Sequence, residues 1–190
     1  MIKVADSIGF VRQWVARPRQ TGAIWPSGND LAQLMVRGID PDHDRVIELG
    51  GGTGAFTTAL LDLGVPDDRI EVIEINPDFA ARLRRRFPCI TVHEADAGEL
   101  DQVVKHPPGV YDHVISGLPL LAVDRPVRIA IIAQAFRLLG SSGKMVQFSY
   151  APRFPLRHSE LANLGLQAVK VGSCPRNFPP AYVFHITRRA

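Results

Sequence analysis

Apolar runs of strand length recur along this chain, and their spacing limits the fold more than any other feature. The runs are Arg45 to Leu49, Ile70 to Glu74, Cys89 to His93, Tyr111 to Ser116, Lys144 to Ser149, Leu166 to Gly172 and Ala181 to Thr187. Helical patterns near 54–64, 77–87, 97–104 and 125–139 separate the first five. Strand and helix in alternation build a parallel sheet with helices on both faces. The last two runs are joined only by Ser173-Cys174-Pro175-Arg176-Asn177-Phe178-Pro179-Pro180. That is too short for a crossover helix, so these two pair antiparallel. The expected fold is α/β, a seven-stranded, mostly parallel sheet that ends in an antiparallel hairpin.

The first run ends in Glu48-Leu49-Gly50-Gly51-Gly52-Thr53-Gly54 and leads into a helical pattern. Glycines at a strand-to-helix turn let the backbone turn tightly and let a ligand reach main-chain atoms. Glu74 closes the next run, where a carboxylate can accept hydrogen bonds from ribose hydroxyls. Loop and acid together read as a nucleoside-cofactor site on a Rossmann-like sheet. Gly50, Gly52 and Ala55 also satisfy the G-x-G-x-x-A form of the dinucleotide fingerprint, so a nicotinamide cofactor competes for this loop. A chain of 190 residues leaves no second domain for a hydride acceptor.

Two cysteines, Cys89 and Cys174, give no disulfide framework and no metal-ligand spacing, so no metal is expected and a reducing cytoplasm is. No run suits a signal peptide or a membrane span. The charge is unevenly spread. Residues 1–20 hold four basic and one acidic residue, 21–150 hold twelve and seventeen, and 151–190 hold six and one. Basic ends around an acidic middle point to an anionic partner, nucleic acid or a lipid surface.

The E-x-G-x-G-x-G arrangement from Glu48 to Gly54 resembles motif I of class I S-adenosylmethionine-dependent methyltransferases, and the seven-strand pattern resembles that family too. The resemblance implies S-adenosylmethionine as cofactor, held by Glu48, Gly50, Gly52, Gly54, the ribose acid Glu74, Asp96 with its neighbour Ala97 at the adenine, and Ser116. Asp96 followed by Glu99 is also a capping box for the helix at 97–104. Ser116-Gly117-Leu118-Pro119-Leu120 stands where base-modifying and amide-modifying relatives carry a polar residue, prolines and an aromatic. Ser116 and Leu120 depart from that pattern, which weakens the alternative of an RNA adenine-N6 methyltransferase. A non-catalytic or nicotinamide-binding module of the same fold is the other alternative.

Four segments resemble the rhizobial-type bacterial phospholipid N-methyltransferases: Thr21 to Ser27, Ser116 to Leu120, Gln147 to Arg153 and Arg176 to Ala181. The resemblance implies methylation of phosphatidylethanolamine toward phosphatidylcholine. An apolar rim at Leu118 and Leu120 would then face an acceptor whose tails remain in a membrane. The amine must lose a proton before attack. Tyr150 and then Ser116 are the catalytic candidates, and Trp25, Leu118, Arg153 and Arg176 the substrate contacts, the two arginines toward the headgroup phosphate.

Val4, Ile8, Val11 and Val15 repeat at helical spacing with Trp14 beside them and Arg12, Arg17 and Arg19 off the stripe. Such a helix lies on an anionic lipid surface or closes over the cofactor. Ser27 with Asp30 reads as the cap of the next helix. The expected organisation is an N-terminal helix and cap over residues 1–38 and a methyltransferase domain over 39–190. The expected location is cytoplasmic, peripheral at the inner face of the membrane, with a phospholipid rather than a nucleic acid as partner.

Overall fold

The computed structural model describes residues 26–104, 106–177 and 179–189. The expected N-terminal helix and Trp25 lie outside them. The elements, in chain order, are α1 (Pro26–Met35), β1 (Val46–Leu49), α2 (Ala55–Leu63), β2 (Ile70–Glu74), α3 (Pro77–Arg86), β3 (Thr91–Glu94) and α4 (Leu100–Val103). There follow β4 (Tyr111–Ser116), α5 (Arg125–Leu138), β5 (Leu139–Ser149), α6 (His158–Asn163), β6 (Leu166–Cys174) and β7 (Ala181–Arg188). The strands form one sheet in the order β3-β2-β1-β4-β5-β7-β6. The first five are parallel, and β7 runs antiparallel to both β5 and β6. Chain order reverses between β1 and β4, which places a ligand crevice beyond their carboxyl ends.

Alternate side chains of the strands feed two apolar layers. Leu31 and Met35 of α1, Leu60 of α2 and Leu83 of α3 bury against Val46, Val72, Ile115, Val146 and Val183. Leu100 of α4, Ile132 and Phe136 of α5 and Leu161 of α6 bury against Ile47, Leu49, Val114, Met145 and Ile186. Burial on both faces explains why the central strands read as continuous apolar runs rather than alternating ones. Leu31, Ala32 and Met35 are core residues, so α1 forms part of the sheet's covering layer.

Local chemistry sets the helix ends. Asn76 accepts the amides of Asp78 and Phe79, Pro77 opens α3, and Arg84, Arg85 and Arg86 fill its last turn. Gly64 stops α2 in a left-handed conformation, φ 101°, with its amide returned to the last carbonyls. The expected Ser27 cap lies outside the described side chains. The expected cap of Asp96 with Glu99 is not present. The helix expected over 97–104 is one turn starting at Leu100, because Asp96 Oδ1 accepts the amide of Gly98 and turns the chain there.

Candidate cofactor and acceptor site

The glycine loop is pinned from both sides. Gly50 N donates to the Ile73 carbonyl at 2.8 Å, and Gly54 N donates to the Gly51 carbonyl at 2.8 Å before α2 starts. Gly50, Gly52 and Gly54 all have positive φ, the region that favours glycine. Gly51 is needed for a different reason. A Cβ there would stand 2.4 Å from Val72 Cγ1 and 2.8 Å from Leu83 Cδ1. Gly52 has nothing within 4 Å of where its side chain would stand, so the loop presents open backbone to a ligand.

Glu74 lies beside that opening. Its Oε2 accepts Gly52 N at 2.8 Å and its Oε1 accepts Asn76 N at 2.7 Å. Two backbone amides thus fix the carboxylate while leaving lone pairs for further donors. Asp96 and Ala97 follow β3, the next strand outward, at the same end of the sheet. Glu48 is placed otherwise than its motif position suggested. It is fully buried, and its Oε2 accepts the Thr57 hydroxyl at 2.6 Å. Its Oε1 has no partner among the described residues. Burial, with the nearby Glu74 charge, pushes its pKa up to about 8 against the pull of Thr57, so Glu48 is a neutral acid beneath the loop at neutral pH.

The β4 tip is packed rather than open. Ser116 is fully buried and its Oγ accepts the Leu118 amide at 3.4 Å, so the hydroxyl has no open path to a proton on an acceptor. Leu120 is 1 % exposed and belongs to the core, and Leu118 leans over Gly50. The exposed apolar side chain of this turn is Leu121. The apolar rim expected from Leu118 and Leu120 is therefore displaced, because the turn Leu120–Ala122 rolls Leu120 inward.

Gln147 opens one of the family-like segments, and its structural tie is not evident from sequence. It donates from Nε2 to the carbonyls of Leu118, at 3.0 Å, and Phe148, at 2.6 Å, locking the β4 tip to β5. A single amide inside the apolar run Met145-Val146-Gln147-Phe148 was the available signal. Beyond it, Phe56, Phe148 and Tyr150 make an edge-to-face row with ring centroids 6.1 and 5.3 Å apart. Phe56 opens α2 next to the glycine loop, and its ring edge lies against Gly117. At the other end of the row, burial holds the Tyr150 phenol above the ordinary pKa against the pull of the Asn177 side chain.

Antiparallel pairing of β5, β7 and β6 carries the 150–157 and 175–180 loops to one end of the sheet. Arg153 and Arg176 stand in these two loops, both exposed and without a hydrogen bond or ion pair among the described residues. The first loop is tied down. Arg128 donates to the Pro155 carbonyl at 2.6 Å, Leu156 is buried, and Phe154 packs edge-on to Phe184 at 5.6 Å. The site thus combines an open glycine loop, a fixed carboxylate, an aromatic row and two unpaired arginines.

A methyltransferase domain model matches residues 46–143 of the chain. An ornithine lipid N-methyltransferase of Singulisphaera acidiphila is 33% identical over 186 residues, 93% of this chain and 93% of that protein. The ribosomal RNA small subunit methyltransferase A of Ralstonia nicotianae is 39% identical over 118 residues, and the match spans only 41% of that protein. Among solved structures, the N-methyltransferase NodS from Bradyrhizobium japonicum WM9, in complex with S-adenosyl-l-homocysteine, superposes with a TM-score of 0.73 at 16% identity. That likeness covers 95% of this chain and 100% of the other, and it confirms the Rossmann-like sheet with its closing hairpin. With an open glycine loop and a strand-end carboxylate on this sheet, and a near full-length lipid methyltransferase relative, the chain belongs to the class I S-adenosylmethionine-dependent methyltransferases.

Proposed function

We propose that this protein transfers a methyl group to the amine of a membrane lipid headgroup, with phosphatidylethanolamine and its methylated forms as the acceptors. The near full-length relative that methylates an ornithine lipid carries the reading. S-adenosylmethionine, when bound, supplies the electrophilic methyl. The residues fit it: Gly52 leaves open the space a side chain would fill, and the Glu74 carboxylate is preset for ribose hydroxyls. Asp96 and Ala97 would meet the adenine. Glu48, sealed below, would hold the loop's shape through Thr57 rather than touch the cofactor.

On the acceptor side, Phe56, Phe148 and Tyr150 offer ring faces and edges to an ammonium group. Tyr150 is a poor proton acceptor because its raised pKa keeps the phenol neutral. Ser116 is sealed. The amine's proton therefore leaves to water, and Tyr150 aligns the nitrogen by a hydrogen bond. Arg153 and Arg176 would pair with the headgroup phosphate. No helix among the described residues is long and apolar enough to cross a membrane, which accords with peripheral action at the inner face.

The test is incubation with methyl-labelled S-adenosylmethionine and, separately, vesicles of phosphatidylethanolamine, vesicles of ornithine lipid, and total RNA. Label in the extracted phosphatidylethanolamine is expected. Label in ornithine lipid alone reassigns the headgroup, and label in RNA overturns the lipid reading.

A further inference from the structure

α3 ends in Arg82-Leu83-Arg84-Arg85-Arg86. Arginines in a last turn complement the helix dipole, which accounts for their sign. It does not account for their convergence. Arg82, Arg85 and Arg86 line a cavity of about 360 Å³ together with Gly52, Thr53 and Leu83. The cleft shares Gly52 with the glycine loop, but neither Glu74 nor Asp96 nor any member of the aromatic row lines it, so it adjoins the cofactor loop and lies apart from the acceptor end.

The charge in it is uncompensated. Arg84, outside the cleft, is spent on Glu94 at 3.4 Å and on the Val92 carbonyl. The three arginines within have no carboxylate partner among the described residues. Arg86 donates to two neutral oxygens, the Thr53 carbonyl at 3.0 Å and the Thr58 hydroxyl at 2.9 Å, and lies over the Phe87 ring. Arg82 lies 6.0 Å from the Phe79 ring centroid, and Arg85 makes no hydrogen bond or ion pair among the described residues. Thr53 is exposed at the rim, with a hydroxyl free to donate. Three guanidiniums around one concavity match a multiply charged tetrahedral anion better than a single carboxylate, since each planar fork can grip two oxygens.

We propose that this cleft is a binding site for a phosphate-bearing group, either a phospholipid headgroup or a free phosphate compound. Its position against the glycine loop, joined to Thr53 through Arg86, would set an anion beside the cofactor without occupying the acceptor end. The site does not depend on which acceptor is methylated.

The test compares the full chain with its R82E/R85E variant, which spares Arg86 and the loop it holds. Titration with inorganic pyrophosphate probes the free anion, and sedimentation with phosphatidylglycerol vesicles probes the headgroup. Phosphatidylcholine vesicles serve as the uncharged reference. Both proteins carry the same first twenty residues, so any binding through those cancels. Affinity for at least one probe is expected to fall about tenfold or more in the variant, and to be recovered only in part in R82K/R85K, which keeps the charge but not the planar fork. The probe that loses affinity identifies the source of the phosphate. Equal binding by variant and parent to both probes, or binding of neither probe by the parent, overturns the site. A variant with an unchanged thermal melt excludes misfolding, and R85E alone serves if the double variant does not fold. No methyl transfer enters these measurements, so their failure leaves the lipid reading standing.

Discussion

Glu48 occupies its motif position and is yet fully buried, bonded to Thr57. Its carboxyl lies between two buried strands under the glycine loop, and burial pushes its pKa up to about 8 from 4.5. The folded state keeps the proton while the unfolded chain gives it up, so stability is fully present below about pH 4.5 and is lost as pH rises through 8. Glutamine has the shape of the protonated acid and can accept the same Thr57 bond. Glu48→Gln is expected to raise the melting temperature at about pH 8.5 and to change it little near pH 4.5, a gain of a few kcal/mol on the order of one per pH unit. Parallel melts of the two proteins across that range check it. Tyr150 makes the complementary residue-scale case. Tyr150→Phe keeps the ring against Phe148 and removes only the hydroxyl. If the phenol aligns the amine, kcat should fall about ten- to a hundredfold with cofactor affinity unchanged. An unchanged kcat leaves the ring alone with a role.

At the scale of elements, the parallel strands and the loop at Glu48 to Gly54 were legible because burial on both faces and glycine spacing are local signals. What escaped reading was held by distant partners. α6 has only six residues and no apolar period long enough to read. It exists because the Glu160 carboxylate accepts the Arg157 backbone amide at 2.7 Å and pairs with Arg125 of α5. β5 begins at Leu139, through a Gly-Ser-Ser-Gly stretch that reads as a turn, because Leu139 pairs with Tyr111 before the register shifts. Arg188 secures that junction from β7, donating to the carbonyls of Phe136 at 2.5 Å, Leu139 at 3.0 Å and Gly140 at 2.6 Å. It also lies over the Phe136 ring. Arg188→Ala should therefore cost about 2–3 kcal/mol of stability, since several carbonyls lose a charged donor at once, and Arg188→Lys should recover only part. Denaturant unfolding measures both. The sequence points to Tyr150, Arg153 and Arg176 as the proposed acceptor contacts, but not to the aromatic row beside them. Phe56 and Phe148 are 92 positions apart in sequence and meet only through the sheet.

Across the whole molecule, the proposed cofactor and acceptor groups gather at the carboxyl ends of the strands, while other titratable groups sit within or below the sheet. Glu71 at the start of β2 accepts the Tyr111 hydroxyl at 2.7 Å and pairs with His93 and His106 at 2.8 and 2.9 Å. Burial raises its pKa, but the bonds from His93 and Tyr111 outweigh it and the net shift is downward. Its contribution is present above the ordinary glutamate range and is lost as pH falls through the depressed value. His113 and His185 add to the same limb. Burial, and then Lys144, hold both below 6.5, with Asp44 and Asp112 pulling His113 the other way and His113 itself disfavouring charge on His185. Below about pH 6.5 the unfolded chain takes up protons that the folded imidazoles refuse, so stability falls with pH there. His185 is the better probe because His113 also anchors Asp44 at 2.7 Å. His185→Gln removes a titrating group without breaking a hydrogen bond or ion pair among the described residues. Between about pH 7 and 5 its stability should decline less steeply than the parent's, by up to about 1.4 kcal/mol per pH unit. If parent and variant lose stability in parallel over that interval, His185 is protonated equally in both states and the acid limb belongs to Glu71 and His113.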